Sequence, residues 1–228
     1  MQRVWDDRDT IGRRSVNTRR HHWDRRYADS GATRVSWYQP TPSTSLALIE
    51  RLGIAASAPV IDVGGGASLL VDQLVLRGYT DVSVLDVSAT ALEIARRRLP
   101  GSAPVHWLCE DITTWQPGRR YALWHDRAVF HFLTDAAERT AYLDVMHAAL
   151  EEDGALILAT FATDGPEHCS GLPVARYDAL GLERLLGDFT VTESLREEHT
   201  TPTGDTQPFT WIAARKTGAR STSQAPLQ

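Results

Sequence analysis

Cysteine and long apolar runs are scarce in this sequence of 228 residues. Its two cysteines, Cys109 and Cys169, cannot build a disulfide framework, which favours a reducing compartment and predicts a cytoplasmic protein. No run reaches the roughly 18 consecutive apolar residues that a membrane-spanning helix needs, so no membrane contact is expected. With 42% hydrophobic and 23% charged residues, the chain has the composition of an ordinary globular protein.

Positive charge is also in deficit, because the formal net charge is −5, and a nucleic-acid-binding face is therefore not expected. The sign is uneven, since residues 1–26 carry eight arginines and four acids. This basic start lacks the apolar segment of a signal peptide. We interpret residues 1–20 as a flexible basic extension, residues 21–215 as a single domain and residues 216–228 as a flexible tail.

Short apolar runs alternate with helical periods through the middle of the chain. Strands are predicted at Pro59–Val63, Val82–Leu85, Val105–Leu108, Tyr121–Trp124 and Ala155–Phe161, and helices at Ala67–Arg77, Ala89–Leu99 and Asp135–Leu150. This alternation predicts right-handed crossovers and an α/β fold with a parallel sheet.

The last part of the chain breaks this alternation. Phe189–Leu195 and Pro208–Ala214 are strand-like, and the turn-rich segment between them is long enough only for a hairpin. A parallel sheet that ends in an antiparallel hairpin is not typical of dehydrogenase domains.

The strongest local motif is the segment 60–68, VIDVGGGAS, which closes the first strand and opens the first helix. Gly64 and Gly66 allow a tight turn and let a ligand lie against the backbone. A dinucleotide site would have a third glycine where Leu69 stands. The carboxylate of Asp62 would repel phosphate and attract an amino group, so the motif favours a cationic, amino-acid-like ligand such as S-adenosylmethionine.

Three further signals follow the next three strands. Asp86 can accept both ribose hydroxyls of a nucleoside, or it can simply cap the following helix. Asp111 can accept from an adenine amino group while Ile112 packs on the ring, although an ordinary acidic loop would look the same. The segment Trp124–Arg127 leaves the fourth strand. All of these signals lie at the carboxyl ends of strands, where open α/β sheets bind ligands.

On these residues the chain resembles the class I S-adenosylmethionine-dependent methyltransferases, over about residues 22–215. The resemblance implies a Rossmann-like, mostly parallel sheet of seven strands in the order 3-2-1-4-5-7-6, with helices on both faces. It also implies S-adenosyl-L-methionine as the cofactor and S-adenosyl-L-homocysteine as the product.

A narrower resemblance concerns the segment 125–129, HDRAV, which is similar to the Trp-Asp-Arg-Gly segment of thiopurine S-methyltransferases and related thiol and halide methyltransferases. Segments 23–27 (WDRRY) and 178–187 (DALGLERLLG) resemble that group as well. The group implies that Arg127 lies at the cofactor. Ala128 stands where the group has glycine, which leaves the acceptor open.

Methyl transfer from a sulfonium releases a neutral product, so the enzyme must mainly align the reactants and leave the nucleophile unprotonated. Asp126 and His131 are the predicted catalytic residues on the acceptor side. Asp126 could instead hold Arg127 or the cofactor, and His131 could be a histidine packed between aromatic rings.

An aromatic lid over the methionine part of the cofactor is predicted at Trp37, whose ring face would attract a sulfonium. Alternatively, Trp37 could serve as a hydrophobic anchor for the N-terminal segment. The predicted cofactor contacts are Trp37, Asp62, Gly64, Gly66, Ser68, Asp86, Val87, Asp111, Ile112 and Arg127. No histidine or cysteine cluster has metal-ligand spacing, so no metal site is predicted.

The predicted function is methyl transfer to a small molecule. Thiol sulfur is favoured, because a thiol with a pKa near ~8.5 needs little help to ionise. A protein-lysine N-methyltransferase, an O- or N-methyltransferase of a small metabolite, and a non-catalytic nucleoside-binding module remain alternatives. A nicotinamide-dependent oxidoreductase is disfavoured by Leu69 and by the terminal hairpin. The expected state is a monomer or a weak homodimer.

Overall fold

The computed structural model describes residues 7–217, with side chains from residue 16 onward. Its helices are α1 (Asp7–Ser30), α2 (Ser43–Arg51), α3 (Leu70–Leu76), α4 (Ala89–Arg98), α5 (Ala136–Ala149) and α6 (Ala179–Leu186). Its strands are β1 (Val60–Val63), β2 (Val82–Asp86), β3 (Val105–Cys109), β4 (Tyr121–Arg127), β5 (Leu150–Phe161), β6 (His168–Cys169), β7 (Leu172–Pro173), β8 (Phe189–Thr200) and β9 (Thr206–Lys216). A short 3₁₀ turn, Phe130–Phe132, follows β4.

Seven strands form one sheet in the order β3-β2-β1-β4-β5-β9-β8. Strands β1 to β5 pair in parallel, whereas β9 pairs antiparallel with both β5 and β8. The predicted order 3-2-1-4-5-7-6 is therefore confirmed, because the separate two-residue ribbon of β6 and β7 adds two numbers before the hairpin.

Two apolar clusters cover the two faces of the sheet, as alternation along β1 requires. Val60 packs in a cluster with residues of α2, α3 and α4, and its neighbour Ile61 packs in a second cluster with residues of α5 and α6. Helices thus lie on both faces, as predicted. Ser88 and Asp135 cap α4 and α5 by accepting hydrogen bonds from backbone amides of the first turn.

Strand β4 continues three residues beyond its predicted end at Trp124, through His125, Asp126 and Arg127. These three polar residues lie beyond the range predicted from the apolar run. Pairing with β1 on one side and β5 on the other keeps these residues in the sheet. The extension matters because it determines where each polar side chain points.

Helix α1 runs through the boundary predicted between the extension and the domain at residue 20. Arg19 donates to Asp111 at 2.9 Å and to Glu138 at 2.7 Å, so acids of the domain hold the last part of this basic segment. Residues 1–6 and 218–228, which contain the ends of the predicted extension and tail, lie outside the described residues. Within residues 7–217, no helix combines the length and the apolar character needed to cross a membrane.

Candidate active site

A cavity lies where β1 to β4 end, and it encloses about 870 Å³ of empty space when the part open to solvent is included. One part of it, the acidic end, is lined by Asp86, Val87, Asp111 and Ile112. The other part, the arginine end, is lined by Arg127, His131, Phe161, Cys169 and Phe209. The sheet order explains the separation, because β2 and β3 lie on one side of β1 and β4, and β5 and β9 lie on the other.

The glycine loop, Gly64–Gly66, follows β1 between these two ends, and Gly64 lines the cavity. Gly64 has φ +65°, and a Cβ at this position would lie 1.9 Å from Cγ2 of Val129. Gly66 has φ +46°, and a Cβ there would lie 2.8 Å from Oδ2 of Asp86. Both positions therefore need glycine for conformation and for space.

Asp86 ends β2 and is 8% exposed in the wall of the cavity, next to Val87. Its Oδ1 accepts a hydrogen bond from the amide of Ser88 at 2.8 Å. Burial raises the pKa of Asp86 to about 7, and the nearby carboxylates of Asp62 and Asp24 add to that effect. The structure places Asp86 and Val87 together at the acidic end.

Asp111 and Ile112 lie in the same wall, at the end of β3. Asp111 is nearly saturated, since Oδ2 accepts from Arg19 at 2.9 Å and Oδ1 accepts from the amide and the hydroxyl of Thr113. A carboxylate has about four acceptor positions, so one position remains for a ligand.

Asp62 does not line the main cavity. It borders a second cavity, of about 540 Å³ when the part open to solvent is included. This cavity is also lined by Trp37, Gly64, Ser68 and Arg127. Oδ1 of Asp62 lies 2.7 Å from Nδ1 of His125, and Nε2 of that ring lies 2.9 Å from Oγ of Ser45. Ser68 is exposed and accepts from the first amide of α3. Trp37 borders both cavities.

The prediction that Asp126 acts on the acceptor is wrong, because its carboxylate does not line the cavity. It is fully buried, and it accepts from the amides of Val129 and Phe130 and, at 2.6 Å, from the hydroxyl of Tyr142. Burial raises its pKa to about 6. Alternation along the extended β4 places this side chain on the same face of the sheet as Trp124, and there it holds the chain that leads into the 3₁₀ turn.

Arg127, the next residue, points into the arginine end. Its guanidinium carbon lies 4.6 Å from the ring centroid of Phe209 on β9, and Nη1 donates to the carbonyl of Trp37 at 3.0 Å. Nε and Nη2 are buried without a hydrogen-bond partner in the described part of the chain. Burial lowers the pKa of Arg127 to about 10, so the side chain stays cationic at neutral pH.

His131 lines the same end and is fully buried against Phe132 and Phe161. Burial, together with the charge of Arg127, lowers its pKa to about 3, so the ring is neutral. Nδ1 accepts from the amide of Phe161 at 3.4 Å, which leaves the ring proton on Nε2. Nε2 is buried and has no partner among residues 16–217.

Several residues in the wall of the cavity were not predicted from the sequence. Tyr27 and Trp23 of α1 line the cavity, and the hydroxyl of Tyr27 accepts from Trp37 at 3.2 Å. Their only signal was the segment 23–27, whose Asp24 anchors α1 by accepting from Ser88 and Thr90 of α4. Phe209 had no signal, because only pairing of β9 with β5 brings it to the site.

Residues 60–154 match the family model of a methyltransferase domain. The chain is 41% identical over 76 residues to a trans-aconitate 2-methyltransferase of Rhizobium etli, a match that covers 33% of this chain and 28% of that protein. It is 24% identical over 104 residues to malonyl-[acyl-carrier protein] O-methyltransferase 1 of Ilyobacter polytropus, covering 45% and 37%. The matches thus span less than two fifths of the length of these curated relatives.

Solved structures share the fold over most of the chain. A SAM-dependent methyltransferase of Anabaena variabilis superposes with a TM-score of 0.70 at 18% identity, covering 89% of this chain and 95% of that one. The Burkholderia thailandensis 1,6-didemethyltoxoflavin-N1-methyltransferase, solved with S-adenosylhomocysteine, gives a TM-score of 0.65 at 20% identity, covering 95% and 92%.

The solved structures confirm the predicted fold, and the family model supports the predicted methyltransferase domain over residues 60–154. S-adenosylmethionine as the cofactor stays a prediction. The narrower resemblance to thiopurine and thiol methyltransferases stays a prediction.

Proposed function

We propose that this chain, which contains a methyltransferase domain, transfers the methyl group of S-adenosylmethionine to a small-molecule acceptor. The observation that carries the proposal is the single cavity shared by the acidic end and the arginine end. One cavity with two chemically different ends is suited to hold donor and acceptor side by side.

The residues of the acidic end fit the cofactor. Asp86 offers a carboxylate that can accept ribose hydroxyls, and Ile112 offers an apolar face for the adenine ring. The rings of Trp23, Tyr27 and Trp37 line the cavity and suit a sulfonium, which is attracted to aromatic faces. When bound, the cofactor supplies an electrophilic methyl carbon.

Asp62 and Ser68 support the cofactor in this proposal from the second cavity. The carboxylate of Asp62 lies below the glycine loop, since a Cβ on Gly65 would come within 2.5 Å of its Oδ2. This placement suits a role in holding the loop that the cofactor would touch.

The arginine end supports an acceptor that arrives already ionised. The carboxylate of Asp126 already accepts three hydrogen bonds. In His131, Nδ1 accepts from an amide and Nε2 carries the ring proton. Neither side chain is therefore free to accept a proton from the acceptor. A thiolate or a carboxylate needs no base for attack on a methyl carbon. An ammonium group would instead face the charge of Arg127, which disfavours a lysine acceptor.

Thiol sulfur therefore remains a candidate nucleophile, and carboxylate oxygen joins it. The two curated relatives give the second candidate a specific reason, because aconitate and the malonyl group are both carboxylic acids. In either case the new bond forms between the acceptor atom and the methyl carbon while the methyl–sulfur bond breaks, and no proton moves.

Titration calorimetry with S-adenosylmethionine and with NADH tests the cofactor, and only the first is expected to bind. Release of S-adenosylhomocysteine is then measured with a panel of small thiols, a panel of small carboxylic acids, and a protein extract. Turnover with a small acid or thiol supports the proposal. Labelling of lysine in the extract without turnover of any small molecule would overturn it, as would binding of NADH alone.

A further inference from the structure

Arg127 stands apart from the other arginines of the site because its charge is buried and mostly unpaired. Only Nη1 has a partner, the carbonyl of Trp37, while Nε and Nη2 have none in the described part of the chain. A buried donor without a hydrogen-bond acceptor costs free energy, and the cost is larger for a charged group. A ligand that satisfied them would recover this cost on binding.

The neighbouring acid compensates this charge only through space and leaves both nitrogens without a hydrogen bond. Glu197 of β8 is near enough to influence Arg127, yet its oxygens accept from Gln39, Thr44 and Trp211 instead. Glu197 thus forms no ion pair with Arg127 among the described residues.

The two unpaired nitrogens form one edge of the guanidinium plane, since the Nε–H bond lies on the same side as Nη2. That edge presents two parallel N–H donors at the spacing of the two oxygens of a carboxylate. Nε2–H of His131, which lines the same end, adds a third unpaired donor. A group that only accepts hydrogen bonds therefore fits this end.

The ring of Phe209 beneath the guanidinium belongs to β9, on the side of β4 away from β2 and β3, whose ends form the acidic end. Arg127 also borders the second cavity, beside Gly64 of the glycine loop. Two carboxylates can therefore compete for this edge, that of the acceptor and that of the cofactor's methionine part. The unpaired Nε2–H of His131 favours the acceptor, because His131 lines the main cavity and not the second one.

We propose that Arg127 binds a carboxylate group of the acceptor through its Nε and Nη2 edge, and so makes the protein specific for small carboxylic acids. The inference rests on the proposed function, because it concerns the acceptor part of the same cavity. It assigns Arg127 to the acceptor, where the resemblance had assigned it to the cofactor.

The test uses calorimetry on the full chain saturated with S-adenosylhomocysteine. The probes are trans-aconitate, malonate, benzoate and 3-mercaptopropionate, each compared with its methyl ester. We expect at least one acid to bind and its ester to bind about 30-fold more weakly or worse, the scale of losing hydrogen bonds to a charged group. R127M should lose the preference for the acid, and R127K, which keeps the charge without the planar edge, should retain part of it.

Two controls separate this role from a structural one. S-adenosylhomocysteine affinity should stay within threefold, about 0.7 kcal/mol, in R127M. The melting temperature of R127M should equal or exceed that of the parent, because a buried, unpaired charge is removed. R196M removes an exposed arginine of β8 that pairs with Asp164 and Glu198, and it should change neither affinity.

The inference is overturned if no acid binds better than its ester, or if R127M binds acids as the parent does. It is also overturned if R127M loses S-adenosylhomocysteine while acid binding persists, since Arg127 would then serve the cofactor. Failure of the parent protein to bind S-adenosylhomocysteine would instead reject the proposed function.

Discussion

The two ends of the cavity differ in the hydrogen bonds that they can offer. The acidic end presents carboxylates, and that of Asp86 keeps acceptor positions open for a ligand's hydroxyl groups. The arginine end presents unpaired donors on Arg127 and His131. A ligand with hydroxyl donors suits the first end and a ligand with acceptors suits the second, so the cavity sorts two different molecules by hydrogen-bond type.

Gly64 lies between these two ends in the lining of the cavity, and replacing it by valine should have the largest effect. The backbone has φ +65°, and the added Cβ would overlap with the side chain of Val129. Overpacking of this kind costs up to about 3 kcal/mol, so we expect S-adenosylmethionine affinity to fall about 100-fold. Calorimetry on the purified variant measures the loss.

Gly53→Val is the matched control for this clash. Gly53 also has φ +65°, but no atom lies within 4 Å of the position that an added Cβ would take, so the same strain arises without overlap. This control should lose stability and keep its cofactor affinity. Equal affinities in the two valine variants would show that the loop does not form the cofactor wall.

Asp86→Asn should have the next largest effect and should act on the acidic end alone. Losing hydrogen bonds to a charged acceptor weakens S-adenosylmethionine binding by about 1.5–3 kcal/mol. Because burial raises the pKa of Asp86 to about 7, the affinity of the parent should rise from pH 6 to pH 8 as the carboxyl ionises. The asparagine variant should show no such rise in calorimetry over this range.

Unfolding in urea gives an independent check of the same carboxyl. Its pKa is higher in the folded chain than in the unfolded one, so its contribution to stability is complete at acid pH and is lost as the pH rises through about 7. The free energy of unfolding of Asp86→Asn should therefore rise relative to that of the parent between about pH 4 and pH 7, the unfolded and folded pKa values of this carboxyl. Asp135→Asn, which changes an exposed helix cap, should show neither effect, and a parent affinity that is flat with pH would exclude the ribose role.

The acidic end could be predicted from the sequence, because each of its acids is marked by the residues next to it in the chain. Each predicted acid follows directly on an apolar strand, and parallel strands bring their carboxyl ends to one edge of the sheet. Asp86 and Asp111 therefore could be placed before the fold was known. Their hydrogen bonds could not, since the partner Arg19 comes from a segment with no apolar period.

The arginine end could not be predicted in full, because it depends on the pairing of strands that are far apart in the sequence. Phe209 reaches Arg127 through the antiparallel pairing of β9 with β5, and nothing in the local sequence marks that residue. Asp126 was misplaced for a different reason. The strand continues through three polar residues, so alternation places Asp126 on the face of Trp124, where both side chains bond Tyr142. The sequence pattern does not show where the strand ends.

Asp126→Asn should have the smallest effect on ligand binding, since its carboxylate holds the 3₁₀ turn and does not line the cavity. The free energy of unfolding should fall by about 1–3 kcal/mol, because the hydroxyl of Tyr142 and two amides lose a charged acceptor. S-adenosylmethionine affinity should stay within twofold, about 0.4 kcal/mol.

A double-variant cycle tests whether Asp126 and Tyr142 act as a unit. Tyr142→Phe should destabilise the fold as well, and the double variant should lose less stability than the sum of the two single losses. Tyr121→Phe, a buried tyrosine whose hydroxyl does not bond Asp126, should show no coupling. A variant of Asp126 that unfolds like the parent but has lost methyl transfer would return this residue to the acceptor, and the arginine end would then contain a base after all.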